Sequence, residues 1–218
     1  MIIGFAGKAA AGKTTAARCM AEHLQKDVRI IPMAQVLRSE VETFLRAAGA
    51  EEYVPLVYGC QNDKIRLFSV DTQQAIRACP SWSHFVAEHA DIQESSEQTV
   101  VSVRRILQWW GTEYRRAEDP DYWTKAWAAR VESLDLNTIH VLIDDVRFMN
   151  ELSTIQNEGG LIVKIERPGF NGAGNHASET SLDNYTDWYR VIVNAGSLSD
   201  FQQKISDLTT ELHVANGK

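Results

Sequence analysis

A run of apolar residues from Ile2 to Ala6 breaks into Gly7-Lys8-Ala9-Ala10-Ala11-Gly12-Lys13-Thr14, and no other stretch restricts the fold so tightly. The octet fits G-x-x-x-x-G-K-[ST] without a gap, and its flanks agree with it. The apolar run reads as a buried parallel strand, and Ala16, Ala17, Met20, Ala21 and Leu24 then recur at helical spacing. Glycines let such a loop curl so that successive N–H groups point inward at an anion, and the helix N-terminus adds partial positive charge. A lysine at position 13 can neutralise β- and γ-phosphates, and a hydroxyl at 14 can ligate Mg²⁺. The competing reading is a bare glycine-alanine turn. A dinucleotide-binding reading fails, because Gly4, Gly7 and Gly12 do not give G-x-G-x-x-G. The chain is therefore expected to bind a nucleoside triphosphate.

The remainder alternates strands with helices. Val28 to Ile31 reads as a strand closed by Pro32, followed by a helix carrying Val36, Leu37, Val41, Phe44 and Leu45. Val103, Ile106, Leu107, Trp110 and Tyr114 form one helical face, and Asp119-Pro120 opens a helix expected to run through Leu134. Ile139 to Ile143 is a β-branched strand ending at Asp144-Asp145. A helix with Leu152 and Ile155 then stops at Gly159-Gly160. Leu161 to Ile165 and Val191 to Val193 are further strands. Ser197 and Asp200 resemble a capping box for a last helix with Phe201, Ile205, Leu208 and Leu212 on its core face. This pattern predicts a doubly wound α/β sheet. Residues 50–98 mix Tyr53, Pro55, Gly59 and Pro80 with short helical fragments and read as an insertion.

The 218 residues suffice for one large domain with an insertion and a full core. Lys plus Arg number 22 against 29 Asp plus Glu, a formal charge of −7, which argues against a nucleic acid polymer as partner. Cys19, Cys60 and Cys79 are too scattered for a disulfide framework or metal site. No basic leader and no membrane-length apolar stretch is seen, so a cytoplasmic protein with no membrane partner is expected.

Asp144-Asp145-Val146-Arg147 stands at the carboxyl end of a buried strand, where open α/β sheets place ligands. One of the acids can hold the Mg²⁺ shell, with a solvated turn as the alternative. Arg104, Gln108 and Gly111-Thr112 fall on one helix face, suited to a phosphate or simply to solvent. Trp109, Trp110, Trp123 and Trp127 read as core more readily than as a base-stacking platform. His84, Glu88 and His89 do not make H-E-x-x-H, and no G-x-S-x-G nucleophile occurs.

Several blocks together resemble the deoxynucleoside monophosphate kinases of tailed bacteriophages. They are the 7–14 loop; Ala34-x-x-Leu37-Arg38; Ser102-Val103-Arg104-Arg105-Ile106-Leu107-Gln108 with Gly111-Thr112-Glu113; and Asp121-Tyr122-Trp123. Further on come Asp145-Val146-Arg147-Phe148-x-Asn150-Glu151, Arg167-Pro168-Gly169, His176-x-Ser178-Glu179 and Asn194-x-Gly196-Ser197-Leu198. No block falls in 50–98, a segment expected to contribute to base choice.

The resemblance implies a P-loop NTPase fold: a five-stranded parallel sheet with helices on both faces, a mostly helical acceptor-binding insertion and a lid. It implies transfer of the γ-phosphoryl of Mg-ATP to a deoxynucleoside monophosphate for phage DNA synthesis in the host cytoplasm, by an enzyme expected to be a homodimer. ATP would be held by Gly7, Lys8, Ala10, Ala11, Gly12, Lys13, Thr14 and Thr15, with Asn194, Gly196 and Ser197 against the adenine. Arg38, Arg104, Arg105, Gln108, Thr112, Trp123, Arg147, Glu151, His176 and Glu179 would serve the acceptor. Lys13, Arg104, Asp145, Arg147 and Arg167 would act on the transferring phosphoryl, and Thr14 with Asp145 would hold the metal. Gly169, Gly172 and Gly174 would let the lid move. A kinase of another small acceptor (a modified-base nucleotide, a dephospho-coenzyme A-like or sugar-type substrate, or a polynucleotide end) and a nucleotide-dependent switch are the alternative readings.

Overall fold

The computed structural model describes residues 1–24, 27–89, 92–95, 97–170 and 176–216. Among them the strands, in chain order, are β1 (Ile2–Ala6), β2 (Asp27–Ile30), β3 (Leu67–Asp71), β4 (Gln93–Glu94), β5 (Gln98–Ser102), β6 (Ile139–Val146), β7 (Leu161–Glu166) and β8 (Arg190–Val193). The chain divides into two compact units, Met1–Met33 with Trp123–Lys218, and Ala34–Tyr122.

The first unit is built on a five-stranded sheet in the order β2-β6-β1-β7-β8, with every pairing parallel. Every residue of β1 is buried, as expected of a central strand covered on both faces. Its side chains alternate between two cores. Ile3 and Phe5 pack with Ala16, Ala17 and Met20 of the helix Lys13–His23 and with Phe201, Ile205, Leu208 and Leu212 of Leu198–Asn216. Ile2 and Ala6 pack on the opposite face with Trp127 and Val131 of Tyr122–Glu132 and with Leu152 and Ile155 of Met149–Asn157. This is the doubly wound α/β architecture of a P-loop kinase, with helices on both faces of the sheet.

Two expected boundaries shift. β6 does not stop before its acids but continues through Asp144 and Asp145 to Val146. Gly4 faces Ile143 while Ala6 faces Val146, so β6 carries one residue more than β1 over that span, a β-bulge. The helix expected from Pro120 begins at Tyr122 and ends at Glu132. The Asp119 carboxylate takes the Asp121 amide at 3.0 Å, which keeps Pro120 and Asp121 in a turn. At the last helix, Ser197 and Asp200 do form a reciprocal cap, with the Asp200 amide on Ser197 Oγ at 3.1 Å and the Ser197 amide on Asp200 Oδ2 at 2.9 Å.

The second unit joins the amphipathic helix Gln35–Ala47 to short helices and to a three-stranded antiparallel sheet, β3-β5-β4, that the sequence reading did not anticipate. The expected straight helix after Ser102 is α-helical only over Val103–Gln108, and Trp109–Tyr114 is a π-helix. The wider turn buries three consecutive residues, Trp109, Trp110 and Gly111. Trp109 stacks on Phe85 at 4.6 Å and on Tyr114 at 5.1 Å, while Trp110 meets Phe44 at 5.3 Å. Glu40 ties this cluster together, accepting from Trp110 Nε1 at 2.8 Å, Arg115 Nε at 2.9 Å and Tyr122 Oη at 2.5 Å.

Candidate active site

The 7–14 loop links β1 to the helix Lys13–His23, and its backbone leaves little choice of residue. Gly7 has φ +139°, and a Cβ there would stand 2.3 Å from the Ile165 carbonyl oxygen. Gly12, at φ +113°, has the Asn194 amide nitrogen 2.8 Å from where a Cβ would be. Between them Ala10 adopts φ +61°, left-handed without being glycine. Such a conformation in a run of inward N–H groups makes an anion nest and is a strain that functional loops carry.

Lys13 is buried, with Nζ donating to the carbonyls of Gly7 at 2.6 Å and Lys8 at 2.8 Å. Burial, reinforced by the Arg147 charge, lowers its pKa to about 7, against the opposing pull of Glu179, Asp145 and Asp144. The ammonium is thus packed into the loop it would serve. Asn194 supports the loop from beyond the end of β8, with Nδ2 donating to the Ala11 carbonyl at 2.9 Å. Its own amide donates to the Glu166 carbonyl at 2.7 Å, which fixes the residue beside the end of β7. Arg167 reaches the same loop from just past β7, with Nη1 3.3 Å from the Ala10 carbonyl and its guanidinium 4.1 Å above the Phe170 ring.

The bulge in β6 sends its two acids to different partners. Asp144 Oδ2 accepts from the Thr14 hydroxyl at 2.7 Å, while its Oδ1 is buried and has no hydrogen-bond partner among the described residues. Asp145 Oδ1 instead accepts the Met33 amide at 2.8 Å, closing the end of β2. A hydroxyl beside a carboxylate with one unused buried oxygen is an all-oxygen donor set that suits a hard cation such as Mg²⁺. The residues therefore fit that ion, through Thr14 and Asp144.

Past the acids, Glu151 Oε2 accepts the amides of Arg147 at 2.7 Å and Phe148 at 3.1 Å, capping the helix Met149–Asn157 and fixing where Arg147 leaves the strand. Arg147 Nη1 then donates to the Ser178 carbonyl at 3.2 Å and pairs with Glu179 Oε1. Glu179 is buried, and its Oε2 accepts the Ala9 amide at 2.8 Å. Burial alone would raise its pKa, but the Arg147 charge and the Ala9 amide outweigh that and hold the carboxyl below the usual range. Lys8 Nζ donates to the Glu179 carbonyl and pairs with Asp183. Around these groups is a cavity of about 280 Å³ whose lining includes Lys8, Arg147, Lys164, Arg167, Phe170 and Trp188.

The expected site residues thus separate by unit. Lys13, Thr14, Asp145, Arg147, Glu151, Arg167, His176, Glu179 and Asn194 belong to the first, whereas Arg38, Arg104, Arg105, Gln108 and Thr112 belong to the second. Arg104 Nη2 donates to Gln61 Oε1, and its Nε is buried without a hydrogen-bond partner among the described residues. The Arg105 amide donates to the Ser102 hydroxyl at 3.3 Å, an N-cap. Thr112 lies in the π-helical turn, and His176 Nδ1 caps the short helix Ala177–Thr180. Trp123 is 3% exposed, so its ring is core. Gly169, at φ +79°, has open space around it, while Gly172 and Gly174 lie outside the described residues.

Sequence reasoning named both acids but not the Thr14–Asp144 pair, which only the structure shows. Leu142 packs on the face of the helix Lys13–His23, so strand alternation puts Asp144 on that same face. It missed Asp183 and Gln61 as well, for which spacing offered no sign.

The parallel sheet, the glycine-rich loop before a helix and the acid of a neighbouring strand on that helix's first turn are features of the P-loop fold, to which P-loop kinases belong. A family model described as deoxynucleotide monophosphate kinase matches residues 50–205, and the chain belongs to that family. The match runs through 50–98, where the sequence blocks were silent. A protein of Acanthamoeba polyphaga mimivirus, provisionally named a deoxynucleotide monophosphate kinase, is 38% identical over 65 residues, which are 30% of this chain and 34% of that one. The chain thus spans about a third of that relative's length. No helix among the described residues is long and apolar enough to cross a membrane.

Proposed function

We propose that the protein transfers the γ-phosphoryl of ATP to a deoxynucleoside 5′-monophosphate, releasing ADP and a deoxynucleoside diphosphate. The observation that carries this reading is the junction of the glycine-rich loop with Asp144 through Thr14, in a chain of the deoxynucleotide monophosphate kinase family. The 7–14 loop binds the donor's phosphates through backbone amides, and Lys13 leaves the Gly7 and Lys8 carbonyls to neutralise them. Thr14 and Asp144 would hold Mg²⁺, which would offset charge on the phosphate oxygens. Arg147 and Arg167, on either side of the loop, steady the phosphoryl in transit.

The acceptor phosphate, with a second pKa of about 6, is ionised at neutral pH and already nucleophilic, so no general base is needed. The demand falls on neutralising two anions and holding them in line. Arg38, Arg104, Arg105, Gln108 and Thr112 are assigned to the acceptor on the strength of the family blocks they occupy. The product supplies DNA synthesis in a cytoplasmic compartment.

The test is ADP release with Mg-ATP against dAMP, dGMP, dCMP, dTMP, the ribonucleotides and base-modified analogues. Stimulation by at least one deoxynucleotide supports the assignment, and the pattern identifies the base. ATP binding with no stimulation by any of them rejects it.

A further inference from the structure

Glu179 sets an anion against the loop that the proposed function assigns to the donor's phosphates. Its Oε2 accepts the Ala9 amide at 2.8 Å, its Oε1 pairs with Arg147, and its side chain is 4% exposed. Ala9 is the residue before the left-handed Ala10, so its N–H belongs to the curled stretch that makes an anion nest. The same segment also takes the loop's lysine and a second bond from Arg147. Lys8 pairs with Asp183 and donates to the Glu179 carbonyl, and Arg147 donates to Ser178. Every one of these contacts uses a group suited to phosphate: an amide of the loop, the loop's own lysine, or an arginine.

We propose that Glu179 is a built-in surrogate for phosphate. Without a nucleoside triphosphate its carboxylate occupies the Ala9 amide and the Arg147 guanidinium; the terminal phosphoryl of the donor displaces it and takes both. The proposal rests on the reading of the 7–14 loop as the donor site. A carboxylate oxygen and a phosphoryl oxygen cannot share one amide, and two anions held against one arginine repel. A diphosphate lacks the terminal group and meets no such conflict. The carboxylate therefore weakens triphosphate binding more than diphosphate binding. In return, Arg147 is released only when a transferable phosphoryl is present. Until then the carboxylate satisfies a loop amide and a half-buried guanidinium that would otherwise have to find solvent.

A static anchor predicts something different. If Glu179 only fastened the 176–183 segment, removing its charge would change affinity for both nucleotides alike or loosen the fold without altering their ratio.

The test is calorimetric titration of the full chain and of Glu179→Gln with Mg-ADP and with the Mg complex of the β,γ-imido analogue of ATP. The glutamine keeps an acceptor for Ala9 and loses the charge. The expected result is that affinity for the analogue relative to ADP rises about 10-fold in Glu179→Gln, the scale of one partly screened charge contact. An unchanged or lowered ratio overturns the proposal. A second measurement needs no variant: amide hydrogen exchange in 177–183 should accelerate when the wild-type protein is saturated with the analogue and not when it is saturated with ADP. Equal protection in both complexes overturns the proposal too. Failure of either nucleotide to bind the wild-type protein rejects the donor-site reading itself, an outcome distinct from an unchanged ratio.

Discussion

The Thr14 hydroxyl donates to Asp144 Oδ2 at 2.7 Å, joining the first turn after the loop to the end of β6. The neighbouring carboxylate, Asp145, is spent on the Met33 amide at 2.8 Å. Two adjacent acids thus take different hydrogen-bond partners, Asp144 at the loop and Asp145 at the end of β2, while both charges bear on Lys13. Asp144→Asn is expected to lower Mg²⁺-dependent turnover by about 10²-fold or more while leaving thermal stability nearly unchanged. Asp145→Asn should instead lower stability by about 1 kcal/mol, the difference between a charged and a neutral acceptor for the Met33 amide. Steady-state turnover at several Mg²⁺ concentrations and thermal melts of both variants check this. The reverse pattern would exchange the two roles.

The Glu40 carboxylate binds three donors, Trp110, Arg115 and Tyr122. Its burial opposes ionisation, yet these hydrogen bonds and the Arg115 charge outweigh it and bring its pKa below the ordinary glutamate value. A carboxyl depressed on folding stabilises the protein fully above its unfolded pKa, about 4.3, and that contribution fades as pH falls through the lower folded value. Glu40→Gln should therefore destabilise the protein at pH 7 by about 1–3 kcal/mol. The gap in Tm between variant and wild type should narrow below about pH 4. A gap that stays constant from about pH 7 to about pH 3 would show that the charge is not what matters.

The same contrast between regular and irregular segments explains how far the sequence could be read. Phe201, Ile205, Leu208 and Leu212 recur at helical spacing, and all four are buried on one face of the last helix. Ile2 to Ala6 is uniformly apolar because both of its faces are covered. Periodicity loses its meaning where the backbone changes period. Trp109, Trp110 and Gly111 are buried together because the turn there is π-helical, and no 3.6-residue pattern places three successive residues inside. At Asp144 and Asp145 the bulge supplies an extra residue, so the choice between the acids depends on a register that only the pairing with β1 reveals. The small sheet of the second unit left a faint trace, since buried Phe68 and Val70 alternate with exposed Leu67 and Ser69, but a five-residue strand offers too few repeats to stand out.

Gly7 lies under the Ile165 carbonyl with φ +139°, a conformation that L side chains rarely adopt. Gly7→Ala would force its methyl to within 2.3 Å of that oxygen, so the loop or the end of β7 must move. The expected result is a stability loss of about 1–3 kcal/mol together with loss of nucleotide binding. Gly159→Ala is the control, because it also has a positive φ but open space around it. It should be destabilised by backbone strain alone and keep nucleotide affinity. Denaturant titration and nucleotide binding separate the two, and normal affinity in Gly7→Ala would mean that the loop geometry is not required.

Arg104 is the arginine of the second unit with the plainest unmet capacity. Its Nη2 donates to Gln61 Oε1, and its Nε is buried without a hydrogen-bond partner among the described residues. A guanidinium with a buried Nε donor in reserve suits a planar, two-oxygen anion, which lysine cannot match with a single ammonium. If Arg104 holds the acceptor phosphate, Arg104→Lys keeps the charge and loses the fork. The KM for the deoxynucleoside monophosphate should then rise about 10-fold or more, with the KM for ATP unchanged. Gln61→Ala removes a neutral neighbour and leaves the fork intact, so its effect on the same KM should stay within about threefold. Should Arg104→Lys raise the KM for ATP instead, the residue serves the donor. Should it alter only Tm, the arginine is a structural link to Gln61 and the acceptor phosphate must depend on Arg38 or Arg105.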